Sequence, residues 1–262
     1  MRQSPRYERF PRRYRARTLR LTRVYTAAAL FSGDVVELPP ESGAHLIKVL
    51  RARSGDELVL FNGDGREFDG AIAAVRGARV SVLVGDGRTV DRESPLAITL
   101  VQCVPRGDRM DFIVQKATEL GIARIVPVLS QRSVVRLDPS QAESKATHWR
   151  AVAVSACEQC GRNRIPAVEA ARPLLAYLGE SSASPLTRLV FDADGAHLSA
   201  LPPVSPGASE IAIGPEGGLA SEELEAFRLA GYARVGMGPR ILRTETAALA
   251  ALAWLQSRFG DM

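Results

Sequence analysis

IAIGPEGGLASEELEAFRLAGYARVGMGPRILRTETAALAALAWLQ, from Ile211 to Gln256, passes twice from a short β-branched run through glycines into a helix. Each junction exposes backbone N–H groups beside the positive end of a helix dipole, which suits a nucleotide-like or anionic ligand. Two such junctions within fifty residues predict one ligand held between two loops.

The chemistry of that ligand is narrowed by what the loops lack. Gly214-Pro215-Glu216-Gly217-Gly218 is not a G-x-x-x-x-G-K-[ST] phosphate loop, and Gly236-Met237-Gly238 lacks the third glycine of a dinucleotide fingerprint. Glu216 inside the first loop would repel a pyrophosphate but tolerate a cationic or neutral ligand carrying hydroxyl and amino groups. S-adenosylmethionine fits that description.

The sequence resembles the 16S ribosomal RNA uridine N3-methyltransferases of the SPOUT superfamily. The resemblance is carried by Ile213 to Gly218 (IGPEGG) and by Gly238 to Ala247 (GPRILRTETA). His45 to Arg51 (HLIKVLR), Gln115 to Gly121 (QKATELG) and Glu158 to Arg162 (EQCGR) extend it. These segments stand in family order and span the chain from about Arg23 to Phe259. The resemblance implies a PUA-like, RNA-binding β-barrel over residues 21–90 and a SPOUT-type parallel α/β domain over residues 96–262. It also implies a carboxyl-terminal trefoil knot and a homodimer formed across the cofactor site. Knots are too rare to be read from periodicity.

Methylating uridine at N3 requires a weakly acidic ring nitrogen to lose its proton, so a base or an anion stabiliser is needed. The protein has mainly to hold nitrogen, carbon and sulfur in line and to stabilise the uridine anion. Arg240 and Arg243 flank the second loop with permanently charged guanidinium forks. Together with Glu245 as proton acceptor they form the expected catalytic group. An Arg243 surface ion pair and a Glu245 that merely complements the helix dipole are the structural alternatives. The cofactor is expected to contact Gly214, Glu216, Gly217 and Gly218 from the first loop, and Met237, Gly238, Ile241, Leu242 and Thr244 from the second. RNA is assigned to Arg23, Lys48, Arg51, Lys116, Arg132, Glu158, Gln159 and Arg162. Lys116 and Glu119, one helical turn apart, also fit a solvated ion pair.

A pI of 9.4 suggests nucleic acid, but the charge is uneven. Residues 1–20 carry eight arginines and one glutamate, a charge of +7, against +5 for the whole chain, so residues 21–262 sum to −2. The arginine-rich arm cannot bury apolar surface and is expected to be disordered alone. A dispensable extension, an RNA-contacting tail and a presequence all fit it. Cys157-x-x-Cys160 has the spacing of half a zinc site, but only Cys103 and three scattered histidines remain to complete it, so no metal is expected. The sparse, odd cysteine count, the absence of a long apolar run and the lack of a signal-peptide core point to a cytoplasmic protein outside the membrane.

From Thr22 to about Gly87 the chain reads as short strands and turns, with Asp56 to Phe61 running into Asn62-Gly63-Asp64-Gly65. A short helix is expected at His45 to Arg51, with Leu46, Val49 and Leu50 on one face. Gly85 to Pro95 is the expected domain boundary. Beyond it, strands at 97–104, 124–129, 165–168, 189–192 and 211–213 alternate with helices near 108–120 and 142–158, which predicts a parallel sheet with covering helices. Thr244 is expected to cap the last helix, whose apolar residues nearly encircle it.

The expected protein is therefore an enzyme that methylates uridine N3 of 16S ribosomal RNA, with the small ribosomal subunit or its RNA as partner. The rivals are a non-catalytic RNA-binding assembly factor, a SPOUT methyltransferase acting on another RNA, and a nucleotide-dependent enzyme of another class, which the missing phosphate motifs disfavour.

Overall fold

An unbroken apolar run at 58–61 and the valines at 80, 82 and 84 need burial, and the chain meets this need with an amino-terminal sheet around its own core. The structure is a computed structural model that describes residues 21–180, 187–198 and 207–262; the arginine-rich arm lies outside the described residues. The sheet comprises β1 (Arg23–Tyr25), β2 (Val35–Glu37), β3 (Glu57–Phe61), β4 (Arg66–Arg76) and β5 (Arg79–Thr89) in the order β1-β3-β4-β5-β2. Only the β1/β3 pair is parallel. Asn62 to Gly65 makes the expected turn between β3 and β4, with Gly63 and Gly65 at φ +91 and +96. Leu58, Leu60, Phe68, Ile72, Val80, Val82 and Val84 meet Leu46 in the core.

Helix α1 (Pro40–Lys48) begins before the expected His45, because Pro40 can open a helix at its first position. Val49 and Leu50 fall beyond its end and are exposed, so of the three residues expected to share a buried face only Leu46 is inside. The expected boundary at Gly85 also shifts, since β5 continues to Thr89. Gly85 and Gly87 lie against β4: a Cβ at Gly87 would come 2.5 Å from the Phe68 ring. Close strand approach, rather than a turn, requires glycine there.

The remainder is α/β. Strands β6 (Ala97–Cys103), β7 (Arg124–Leu129), β8 (Ala167–Val168), β9 (Arg172–Pro173), β10 (Thr187–His197), β11 (Ala208–Ile213) and β12 (Ala233–Gly236) form one parallel sheet. Its order is β12-β10-β11-β6-β7-β8, with β9 also on β7. Period-two alternation sends Ile98, Leu100, Ile211 and Ile213 to one face, and Val101, Cys103 and Ala212 to the other. The first face is covered by α2 (Arg109–Glu119), α3 (Pro139–Cys160) and α6 (Thr244–Phe259), through Ile113, Trp149, Leu252 and Leu255. The second is covered by α4 (Leu174–Gly179) and α5 (Ser221–Leu229), through Leu174, Tyr177, Leu178 and Phe227.

Because every strand of this sheet runs the same way, the loops leaving β12, β11, β6 and β7 emerge on one edge. That carboxyl-terminal edge is where open α/β sheets place their ligands.

Candidate active site

The two glycine junctions lie on this edge as β11–loop–α5 and β12–loop–α6, flanking β10. In the first, Gly218 takes φ +70; in the second, Gly238 takes φ +83, a region that L side chains adopt at a cost. A Cβ on Gly238 would meet nothing within 4 Å, and one on Gly218 only the Arg132 guanidinium, at 4.0 Å. Backbone therefore faces open space at both loops, which is the cradle a ligand needs.

Thr244 joins the loops at their base, and not as a cap. The N-cap position of α6 is Arg243, in extended conformation, while Thr244 is the first helical residue. Its hydroxyl donates to Gly214 O at 2.8 Å and accepts from Gln102 Nε2 at 3.0 Å. Gln102, at the end of β6, is fully buried; its Nε2 also reaches Cys103 O, while Oε1 is enclosed without a hydrogen-bond partner. Such an orphaned buried acceptor is costly and marks a place where a donor belongs.

At the mouth, Glu216 accepts from Arg106 N at 3.2 Å and from Arg109 Nη1 at 2.5 Å. Burial pushes its carboxyl up, but backbone donors and the Arg109 charge outweigh this and hold it below the usual range. Glu245 is half-buried, 3.9 Å from Arg109 Nε, and its Oε2 is enclosed without a partner. Arg240 and Arg243 are exposed, and no hydrogen bond or ion pair to another described residue holds either guanidinium. Met237 and Leu242 are half-buried, Met237 against the sheet core, whereas Ile241 is 90% exposed. Arg132 joins this site from the β7–α3 loop, donating to Gly217 O at 3.2 Å. Glu223, at the start of α5, is buried and accepts from Gln131 N and Ala220 N, tying that loop to the first glycine loop.

The residues assigned to RNA divide. Lys48, Arg51 and Gln159 are exposed, and Arg51 takes φ +55. Lys116 pairs with Glu119 at 2.8 Å, the bland alternative. Arg23, Glu158 and Arg162 belong elsewhere, at the joint between the two sheets. Arg23 donates to Glu67 at 2.7 Å and to Asn163 Oδ1 at 2.5 Å. Arg162, 5% exposed, donates to Glu93 and to the Thr118 and Ile122 carbonyls. Glu158 accepts from Tyr25 N at 2.9 Å; burial raises its carboxyl despite that bond. Arg162 has its guanidinium enclosed by these partners, Arg23 has both terminal nitrogens engaged and Nε buried, and Glu158 is a half-buried carboxylate, so none of the three presents a free cation to a phosphate.

Gln102, Arg106, Arg109 and Glu223 were not anticipated. A glutamine at the end of an otherwise apolar strand was the available signal for Gln102. Nothing local marks Arg109. Among the described residues no cluster of three His, Cys, Asp or Glu side chains suits a metal ion, and no helix is long and apolar enough to cross a membrane.

Comparison with known proteins agrees with this geometry. A family model described as "RNA methyltransferase domain" matches residues 92–256, and one described as "RNA methyltransferase PUA domain" matches residues 38–84. Ribosomal RNA small subunit methyltransferase E of Bacillus subtilis is 34% identical, over 79% of this chain and 84% of that protein. Its namesake in Buchnera aphidicola is 31% identical, over 93% and 98%. A crystal structure of ribosomal RNA small subunit methyltransferase E from Neisseria gonorrhoeae, bound to S-adenosyl methionine, superposes with a TM-score of 0.87 at 39% identity, covering 92% of this chain and 99% of that one. A protein from Legionella pneumophila, in complex with the bound cofactor SAM, gives 0.87 at 38%, covering 93% and 100%.

A PUA domain joined to a parallel α/β RNA methyltransferase domain with paired glycine loops defines an RNA methyltransferase. More narrowly, the chain belongs to the ribosomal RNA small subunit methyltransferase E family.

Proposed function

We propose that this chain transfers a methyl group from S-adenosylmethionine to N3 of a uridine in 16S ribosomal RNA. The observation that carries the reading is the pair of glycine loops on one sheet edge, joined by Thr244 and ringed by arginines, with no acid among the described residues paired to Arg240 or Arg243. When bound, the cofactor supplies an electrophilic methyl group on a sulfonium that is already a good leaving group. Gly214, Gly217, Gly218 and Gly238 would present backbone to it, Met237 and Leu242 would hold its adenine, and Gln102 Oε1 and Glu245 Oε2 are acceptors still without donors. Arg243, at the rim, stabilises the uridine anion, and Glu245 accepts the N3 proton. Arg132, Arg106 and Arg240, exposed around the same opening, position RNA phosphates without specifying the base. Lys48 and Arg51 extend that surface on the amino-terminal domain.

A homodimer in the cytoplasm completes the proposal, together with the trefoil knot implied by the resemblance. Ile241, expected against the cofactor yet 90% exposed in one chain, supports a second copy closing over the loop. The test is mass spectrometry of ribosomal RNA from a strain lacking the gene. A single 3-methyluridine is expected to disappear from 16S RNA and to return with the cloned gene; its persistence would overturn the reading in favour of an assembly factor or another RNA substrate.

A further inference from the structure

We propose that Arg109 is a positioning residue that clamps the two glycine loops across the mouth of the site, through Glu216 on one loop and Glu245 beside the other. The effect on rate rests on the methyltransferase reading above; the effect on the loops does not.

Arg109 is the first residue of α2, where a cation opposes the helix dipole, so helix stability does not account for it. Asp111, in the same turn, is the residue that complements the dipole. What Arg109 does instead is cross to the first loop, with Nη1 2.5 Å from Glu216 Oε1, and approach α6, with Nε 3.9 Å from Glu245 Oε1. The two contacts use different nitrogens of one rigid fork, which a lysine cannot do. Glu216 is steadied a second time by Arg106 N, from the turn that precedes α2. The loops are thus linked twice, at the base by Gln102, Thr244 and Gly214 and at the mouth by Glu216, Arg109 and Glu245. The second carboxylate oxygen of Glu245 is shielded and unpaired, so the direction in which the carboxylate points is set by its other oxygen. Arg109 is the group poised to set it.

The experiment is amide hydrogen exchange on the full chain without cofactor, comparing wild type with Arg109→Ala, Arg109→Lys and Glu216→Gln. Arg109→Ala should speed exchange roughly fivefold or more in both 214–220 and 237–245, while the β6 and β7 amides stay protected. Arg109→Lys, able to reach one carboxylate, should free only one segment, and Glu216→Gln should free 214–220. Unchanged exchange in either segment of Arg109→Ala would overturn the clamp. In single turnover, Arg109→Ala should slow methyl transfer about 10²-fold, and adding Glu245→Gln should cost less than the product of the two single effects. Wild-type-like turnover by Arg109→Ala, or fully multiplicative losses, would overturn the positioning role. A wild type that transfers no methyl group would refute the proposed function, with the exchange data still deciding the clamp.

Discussion

Arg243 and Glu245 are two residues apart, yet their surroundings give them different work. Arg243 is exposed at the end of the second loop with no described partner, free to meet a developing negative charge; Glu245 is half-buried, with one oxygen shielded. Arg243→Ala is expected to slow methyl transfer by about 10² to 10³ while cofactor affinity changes little. Glu245→Gln should also slow transfer, but the loss should shrink as pH rises and more uridine ionises unaided. Single-turnover rates across a pH series separate the two, and equal impairment at every pH would remove Glu245 as base. Thr244 allows a sharper test of structure. Thr244→Val removes a buried hydroxyl that satisfies both Gly214 O and Gln102 Nε2, so it should cost about 1–3 kcal/mol in denaturant unfolding and weaken cofactor binding. Thr244→Ser, which keeps the hydroxyl, should recover most of both.

At the scale of elements, the helices that frame the site are fixed by different devices. Helix α3 begins with a capping box: Asp138 accepts from Gln141 N at 2.9 Å while Gln141 Oε1 accepts from Asp138 N at 3.1 Å. Asp138→Ala should therefore lower stability by about 0.5–2 kcal/mol, read as a reduced thermal midpoint, by freeing the first turn of a 22-residue helix. Helix α6 has no side-chain cap and relies on packing. Its buried positions, Thr244, Ala248, Ala251, Leu252, Leu255 and Gln256, recur at helical spacing, while Leu249, Ala250, Ala253 and Trp254 are only half-covered. The near-encircling apolar pattern thus resolves into one core face and a second face for which the proposed dimer supplies a partner.

Across the whole molecule, the decisive feature is the polar joint between the two sheets. Glu67, 4% exposed, receives Arg23, Arg88 and Arg92, and Arg92 also reaches Gly161 O at 2.8 Å. Burial alone would push the Glu67 carboxyl up, but the guanidinium hydrogen bonds and charges outweigh it and hold it at about 2 against an ordinary 4.5. A carboxylate depressed in the folded state contributes stability above the ordinary value, and that contribution is lost as pH falls through about 2. Glu67→Gln should therefore destabilise the protein at neutral pH by on the order of 3 kcal/mol, because it leaves the buried Arg23 without its counter-charge. The gap to wild type should close between pH 4.5 and 2 in urea titrations. A gap that stayed constant with pH would mean that packing, rather than charge, holds the domains together.

How much of this was legible beforehand depends on the range of the interactions concerned. The two strand, glycine loop, helix junctions were readable within Ile211 to Gln256, and β7 at Arg124–Leu129 coincides with its expected limits, because β-branched runs, glycines and helical periodicity act over ten to twenty neighbouring residues. The motif match also located the loop residues that gather at the sheet edge. It did not tell Arg162 from Arg243: both are arginines in recognisable segments, yet one is enclosed by Glu93 and two carbonyls and the other lies open. Nor did it reveal Arg109, or that Thr244 reaches across to Gly214. The sequence by itself determined the α/β class, the glycine cradle and the ligand chemistry the cradle tolerates. Only the tertiary structure decided which charges are spent and which are free, because Arg23 meets Asn163 across 140 residues and Gln102 meets Thr244 across 142, and a side chain's partner over such distances is set by folding rather than by its neighbours in the chain.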